Sequence, residues 1–309
     1  MRKSKPYLLF AVIRLALALL AACKPAESRS KKLKVTCTTT MVTDLVKSVA
    51  GDHAEVEGLM GPGVDPHLYK ATQSDVAKLS QADVIFYNGL LLEGKMQDLF
   101  AKMARTKKFV YAITEGVPVE QLMEPPEFEG HYDPHVWFEI PLWELCMESV
   151  VRGLGEADPA NKASYEKRGQ ELRAQFRSLH QWALNKVAEL PESKRVLITS
   201  HDAFNYFGRA YGFQVVGLQG ISTVTEAGIA DMAQMVDFIK EKKVKAIFVE
   251  SSVAHNTIER VSKDAGVKIG GELFSDAMGT PGEMENGYDL GTYEGMIRHN
   301  VNTVVKAEN

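Results

Sequence analysis

Two copies of the tripeptide Asp-Pro-His stand out in this 309-residue sequence, at Asp65-Pro66-His67 and Asp133-Pro134-His135. In each, a proline restricts the backbone around an imidazole, and a neighbouring carboxylate or carbonyl could orient the ring through its second nitrogen. Ser200-His201-Asp202 and Leu273-Phe274-Ser275-Asp276 offer donors of the same kind. Three neutral imidazoles and one carboxylate, from His67, His135, His201 and Asp276, suit a borderline divalent cation such as Zn²⁺. Four protein donors fill a tetrahedron and leave no open position for an activated water. The set therefore reads as holding a metal rather than using one in catalysis.

Other chemistries fit less well. Ser200-His201-Asp202 has the composition of a hydrolase triad, but adjacent side chains cannot form the relay, and no Gly-x-Ser-x-Gly elbow is present. Gly61-Pro62-Gly63 lacks the lysine and hydroxyl of a phosphate loop. The three cysteines, Cys23, Cys37 and Cys146, have no Cys-x-x-Cys spacing, so a thiolate zinc site is excluded. Glu250 ends an apolar run, where it either partners a ligand in the cleft or is a solvated strand end. His131 reads as an exposed loop residue before an assisting ligand. His53, His180, His255 and His299 have no motif context and read as structural or surface residues.

Elements that could position the four donors follow from the pattern. Short β-branched runs at 34–38, 54–60, 82–87 and 109–113 alternate with helical runs at 41–50, 69–81 and 91–104. The rhythm returns with strands at 195–199, 213–218, 246–249 and 267–273, and helices at 204–211, 232–240, 255–265 and 290–306. Alternating strands and helices imply parallel sheets. The fold class is thus α/β, two (β/α)4 lobes with parallel sheets. Between them Tyr165, Leu172, Phe176, Leu179, Ala183, Val187 and Leu190 recur at helical spacing, bounded by an Asp158-Pro159 start and by Pro191. About 30 residues of helix would span roughly 45 Å, so a single long helix is expected to join the lobes and to restrict hinge motion. Parallel sheets hold ligands at the carboxyl ends of their strands. His67 and His135 follow the second and fourth strands, and His201 and Asp276 the fifth and eighth, so four potential metal ligands fall on the functional edge, two from each lobe. The domain reading is 1–22 signal peptide, 23–32 lipidated cysteine and tether, 33–157 N-terminal lobe, 158–191 linking helix and 192–309 C-terminal lobe.

The N-terminus reads as a targeting segment. Arg2, Lys3 and Lys5 precede an apolar run interrupted by Arg14, and Leu20-Ala21-Ala22-Cys23 then reads as a lipobox that places a lipid on Cys23. No later segment has the roughly 20 apolar residues a membrane span needs. Formal net charge is −4; the four bases of the first 22 residues leave the remainder with 32 bases against 40 acids. So acidic a body, without a basic stripe interleaved with aromatics, excludes nucleic acid as the ligand. Cys37 and Cys146 read as two buried free thiols rather than a disulfide.

Asp65-Pro66-His67-Leu68-Tyr69, Asp133-Pro134-His135-Val136-Trp137, Ser200-His201-Asp202-Ala203-Phe204, Leu273 to Gly279 and the run Tyr293 to Asn300 resemble one known family. It is the cluster A-I, TroA-like metal solute-binding lipoproteins of bacterial ABC zinc/manganese importers, solute-binding protein family 9. The resemblance covers essentially the whole chain after the targeting segment. It implies an extracytoplasmic, lipid-anchored, monomeric receptor that is not an enzyme. Such a receptor captures Zn²⁺, or alternatively Mn²⁺ or Fe²⁺, and delivers it to an ABC permease and its ATPase. It also implies metal in the interlobe cleft with His67, His135, His201 and Asp276 as its ligands, histidine at the third position being more typical of zinc receptors and of some with mixed zinc and manganese use. The long His-rich loop of many zinc receptors is absent between Glu115 and Asp133. A surface adhesin with a structural metal site is the alternative on the same scaffold. Because ligation needs deprotonated imidazoles, binding is expected to weaken as pH falls through about 6.5.

Overall fold

In the computed structural model, which describes residues 32–106 and 109–309, strand and helix alternate along the chain. β1 (Leu33–Cys37), β2 (Ala54–Gly58), β3 (Val84–Tyr87) and β4 (Phe109–Ala112) form one parallel sheet in the order β2-β1-β3-β4. Val35 stands between Val56 and Val84 in the register, so the central strand is apolar where both neighbours cover it. The helices of this half are α1 (Thr40–Ala50), α2 (Gln73–Gln81), α3 (Gln97–Arg105) and α4 (Ile140–Ala157).

α5 (Lys162–Val187) leads into the second half: β5 (Val196–His201), α6 (Asn205–Tyr211), β6 (Gln214–Gln219), α7 (Ile229–Lys242), β7 (Ala246–Glu250), α8 (Asn256–Ala265), β8 (Lys268–Leu273) and α9 (Tyr293–Glu308). β5 pairs β6 and β7 pairs β8, both parallel, and β5 packs beside β7. Between β8 and α9 the short strands β9 (Met284–Glu285) and β10 (Tyr288–Asp289) pair antiparallel. Their two-residue loop is Asn286-Gly287, both at positive φ (49° and 90°), the left-handed conformation a tight hairpin needs. Two strand–helix series of four thus flank a long helix. Residues 33–309 cluster as one compact unit. No helix among the described residues is long and apolar enough to cross a membrane. The signal-peptide reading, Cys23 and nearly all of the tether lie outside the described residues.

Several boundaries differ from the sequence expectation, each for a local reason. α2 starts at Gln73 rather than residue 69, because Thr72 and Asp75 close a capping box: the Thr72 hydroxyl accepts from Asp75 N at 3.2 Å, and Asp75 Oδ2 accepts from Thr72 N at 2.8 Å. α3 starts at Gln97 rather than 91, because Gly89, Leu90 and Leu91 all adopt positive φ. That turn wraps the buried Glu93 carboxylate, which accepts from Thr38 Oγ1 (2.7 Å), Asn88 N (2.8 Å) and Gly89 N (3.2 Å). The linking helix is shorter than expected: 26 α-helical residues, or about 39 Å, preceded by a 3₁₀ turn at Pro159–Asn161. Asp158 does not cap the backbone; its carboxylate accepts from the Asn161 amide and the Tyr165 hydroxyl instead.

One hydrophobic core runs without a break across both halves. Phe138 stacks on Phe204 with centroids 4.3 Å apart, and Tyr293 of α9 lies between Trp143 of α4 and Phe176 of α5. Charges reinforce the α4–α5 pair, where Glu144 meets Arg173 at 2.9 Å and Arg177 at 3.1 Å. Cys37 and Cys146 are buried free thiols, and burial pushes both thiol pKa values up.

Close packing against the end of β5 gives a test. A Cβ built on Gly217 of β6 would lie 2.5 Å from Asp202 N and 2.6 Å from Asp202 Cα. Backbone there cannot yield without moving the residue beside His201. Gly217→Ala is expected to destabilise the fold by about 1–3 kcal/mol. Thermal melting should then shift by roughly 2 °C per kcal/mol; an unchanged melting temperature would refute the close approach.

Candidate metal centre

All four sequence-selected donors sit at carboxyl ends of strands. His67 lies in the loop after β2, His135 after β4, His201 is the last residue of β5, and Asp276 follows β8. They converge: one donor atom from each lies within 4.8 Å of all the others. Asp276 is the common neighbour. Its Oδ1 is 3.3 Å from His135 Nε2, and its Oδ2 is 3.2 Å from His201 Nε2 and 3.7 Å from His67 Nε2. The four residues are 4, 0, 0 and 1 % exposed, in sequence order. Although close, none of these contacts is aligned as a hydrogen bond: the three Nε2 atoms and both Asp276 oxygens have no hydrogen-bond partner. Five buried polar atoms that crowd together without an aligned hydrogen bond are costly unless something placed between them satisfies all five. That donor chemistry fits a divalent cation.

Carboxylates behind the rings fix two of the three imidazoles. Asp133 Oδ1 accepts both the backbone N–H of His135 (2.9 Å) and its ring Nδ1 (2.7 Å). Glu250 does the same for His201, with Oε1 at 2.8 Å from the backbone N and Oε2 at 2.5 Å from Nδ1. Glu250 is thus not a solvated strand end: it is fully buried and in contact with His201. Since carboxylates only accept, Nδ1 of each ring carries a proton and Nε2 is the atom aimed at the shared point. The two Asp-Pro-His segments are not equivalent. Asp65 Oδ1 accepts the backbone N–H of His67 (2.8 Å), while its Oδ2 accepts the Thr223 hydroxyl from the loop after β6 at 2.6 Å.

Electrostatics separates the rings accordingly. Burial opposes the charged form of His135, yet Asp133 and Asp276 outweigh it and raise the ring to about 9. His201 is raised well above the ordinary histidine range in the same way: burial opposes, and Glu250 and Asp276 prevail. His67 is driven down to about 3 by burial, with the neighbouring rings adding to the effect against the pull of Asp276. Asp276 lies well below the usual carboxylate range, because the three rings overcome its burial.

Sequence spacing did not expose several residues that hold the site. Trp137 donates from Nε1 to Ser275 O at 3.1 Å, tying the segment that carries Asp276 to the first half, and its ring packs edge-on against His135. Tyr206 donates its hydroxyl to Asp133 O at 3.1 Å. A signal was present, since Tyr206 lies in the first turn of the helix that follows His201. His131 is exposed and packs on Phe128. His53, His180, His255 and His299 bond to Ser164, Tyr211, Glu250 O and Glu285 respectively, outside the four-donor cluster.

Known proteins share this arrangement of chain. The description "zinc-uptake complex component A periplasmic" (ZnuA) matches residues 35–307. Over 308 residues the chain is 44 % identical to the manganese-binding lipoprotein MntA of Bacillus subtilis (strain 168), covering 97 % of this chain and 98 % of that protein. It is 45 % identical over 289 residues to the zinc-binding protein TroA of Treponema pallidum (strain Nichols), covering 92 % and 91 % respectively. The solved structure of the periplasmic zinc-binding protein TroA from Treponema pallidum aligns with a TM-score of 0.85 at 44 % identity, over 90 % of this chain and 99 % of that one.

The three rings should titrate apart in the metal-free protein. Histidine NMR resonances are expected to show His67 neutral from pH 5 upward, and His135 cationic until the pH rises through about 9. A common midpoint near the free histidine value of about 6.5 would contradict the carboxylate pairing.

Proposed function

This chain belongs to the zinc-uptake complex component A family, and on that premise we propose how it handles its metal. It is a metal-binding receptor of an ABC importer, and the cation is its cargo. His67, His135, His201 and Asp276 are the proposed ligands. The supporting observation is the convergence of five buried, unpartnered donor atoms from four strand ends. A dication among them would satisfy the three Nε2 lone pairs and the Asp276 carboxylate together.

Asp276 can offer more than one donor. Its two oxygens face different rings, so the coordination number can rise from the four read in the sequence to five. Among Zn²⁺, Mn²⁺ and Fe²⁺ we propose Zn²⁺ as the ion bound most tightly in vitro, as the Irving–Williams order dictates. Mn²⁺ is the second reading, favoured by the second Asp276 oxygen and by the 44 % identical relative named for manganese; Fe²⁺ suits the same donors. Members of the family are binding receptors rather than enzymes. By likeness to the lipoprotein relative, Cys23 would carry the lipid that holds the receptor on the outer side of the membrane. A monomer delivering its cation to the permease and ATPase completes the proposal.

The pH dependence follows from the ring environments. Ligation needs a bare Nε2, and in the metal-free protein both His135 and His201 hold protons at neutral pH. Binding therefore releases protons, and affinity falls as pH falls, starting near 9 for His135 rather than at the 6.5 of a free ring. His67 offers no competing proton until about pH 3.

Calorimetric titration tests the site. His201→Ala should weaken zinc binding by more than about 100-fold, beyond the 10–100-fold typical of losing an outer partner, with the far-ultraviolet spectrum unchanged. Equal affinity in wild type and variant would remove His201 from the site. Chelation should strip the metal and leave a cooperative melting transition, as a carrier requires; loss of that transition would indicate a structural ion instead.

A further inference from the structure

We propose that Asn205 is a positioning residue for the cation: from the second half of the chain it locks the Asp133 carboxylate that aims His135 at the metal. The proposal rests on the receptor reading above and adds a residue that spacing did not select. Asn205 opens α6, four residues after His201. Its Nδ2 donates to Asp133 Oδ2 at 3.2 Å and to Asp202 Oδ2 at 2.9 Å. Only the NH₂ end of the amide can serve two carboxylate acceptors, so those acceptors also decide which way the amide points.

The consequence falls on His135. Asp133 is fully buried, and its Oδ1 is taken by the backbone N–H and ring Nδ1 of His135. With Oδ2 held by Asn205, the carboxylate is gripped at both oxygens and cannot swing about its Cβ–Cγ bond. Removing that grip leaves a buried oxygen short of a donor and frees the carboxylate to turn away from the ring. The same helix holds the rest of the segment. Tyr206 bonds Asp133 O and Met123 N, and Arg209 reaches Glu139 Oε2 at 2.7 Å and Gln121 O at 2.9 Å. The element that begins just past the His201 ligand thus grips the loop that carries the His135 ligand. Among the described residues, the α6 contact that reaches the carboxylate touching the ring is the Asn205 bond.

Zinc titrations of Asn205→Ala and Asn205→Leu, each made in wild-type and in His135→Ala backgrounds, test this. Leucine keeps the branched shape of asparagine and removes the donor. Both substitutions are expected to weaken binding about tenfold in the wild-type background, at the low end for an outer partner. In the His135→Ala background the further loss should be under about twofold, since coupled residues are non-additive. The visible absorption of the Co²⁺-loaded Asn205 variants should also shift, reporting a moved ligand. Equal losses in both backgrounds, or a leucine variant that binds as wild type does, would overturn the proposal, because either result marks a packing role. Full affinity in His135→Ala alone would instead sink the ligand assignment beneath it. Melting of each metal-free variant confirms that the titrated protein is folded.

Discussion

Everything at the centre turns on one carboxylate surrounded by three imidazoles where water does not reach. Asp276 has no aligned hydrogen bond there, although its oxygens lie 3.3 Å from His135 Nε2 and 3.2 Å from His201 Nε2. In a low-dielectric site each unpaired polar atom is expensive, and a mixture of one anion with several bases is stable only if positive charge is supplied. Protons supply part of it in the metal-free protein, held on His135 and His201. A dication supplies it better, since one charge centre reaches all the donors. Proton and metal therefore compete for the same imidazole nitrogens, and that competition is a built-in link between affinity and pH.

The carboxylates behind the rings make this arrangement directional. Asp133 and Glu250 each clamp a backbone N–H and a ring Nδ1 of the same histidine, which fixes tautomer and ring plane together. With a dication bound, the formal count over Asp133, Glu250, Asp276 and the ion comes to −1. Such a cluster offers an incoming cation a net negative well while keeping each oxygen hydrogen-bonded or facing the ion. His67 has a different footing. Its loop is tied to the second half through Asp65 and Thr223, whereas the His135 segment is tied through Trp137, Tyr206 and Asn205. Three donors are thus interlocked more heavily than the fourth.

A scaffold of parallel strands serves this purpose because the loops after β2, β4, β5 and β8 bring their donors to one place. The core that continues from Phe138 to Phe204 and from Trp143 to Tyr293 makes the contact between the halves as apolar as a domain interior. Large relative movement would expose that surface to water, which favours small adjustments of loops and side chains over a wide swing.

How much of this is legible in the residues follows from the range of the forces involved. Alternating strands and helices, the long helix before Pro191 and the four donors after strand ends are local patterns, and they were readable. So was the outward place of His131. The Thr72–Asp75 capping box, the Asn286-Gly287 hairpin and the periodic apolar face of α4 also carry local cues in the chain. Other features had no local signature at all. Nothing near Glu250 in sequence says that it meets His201, 49 residues away, or that Asn205 reaches Asp133 across 72. The raised and lowered ring pKa values likewise exist only once burial and partners are fixed. Residue types and spacing thus determined which atoms were capable of holding a cation. Tertiary packing decided which carboxylate stands behind which ring, because charge interactions depend on distance in space and on the exclusion of water, and the order of residues along a chain specifies neither.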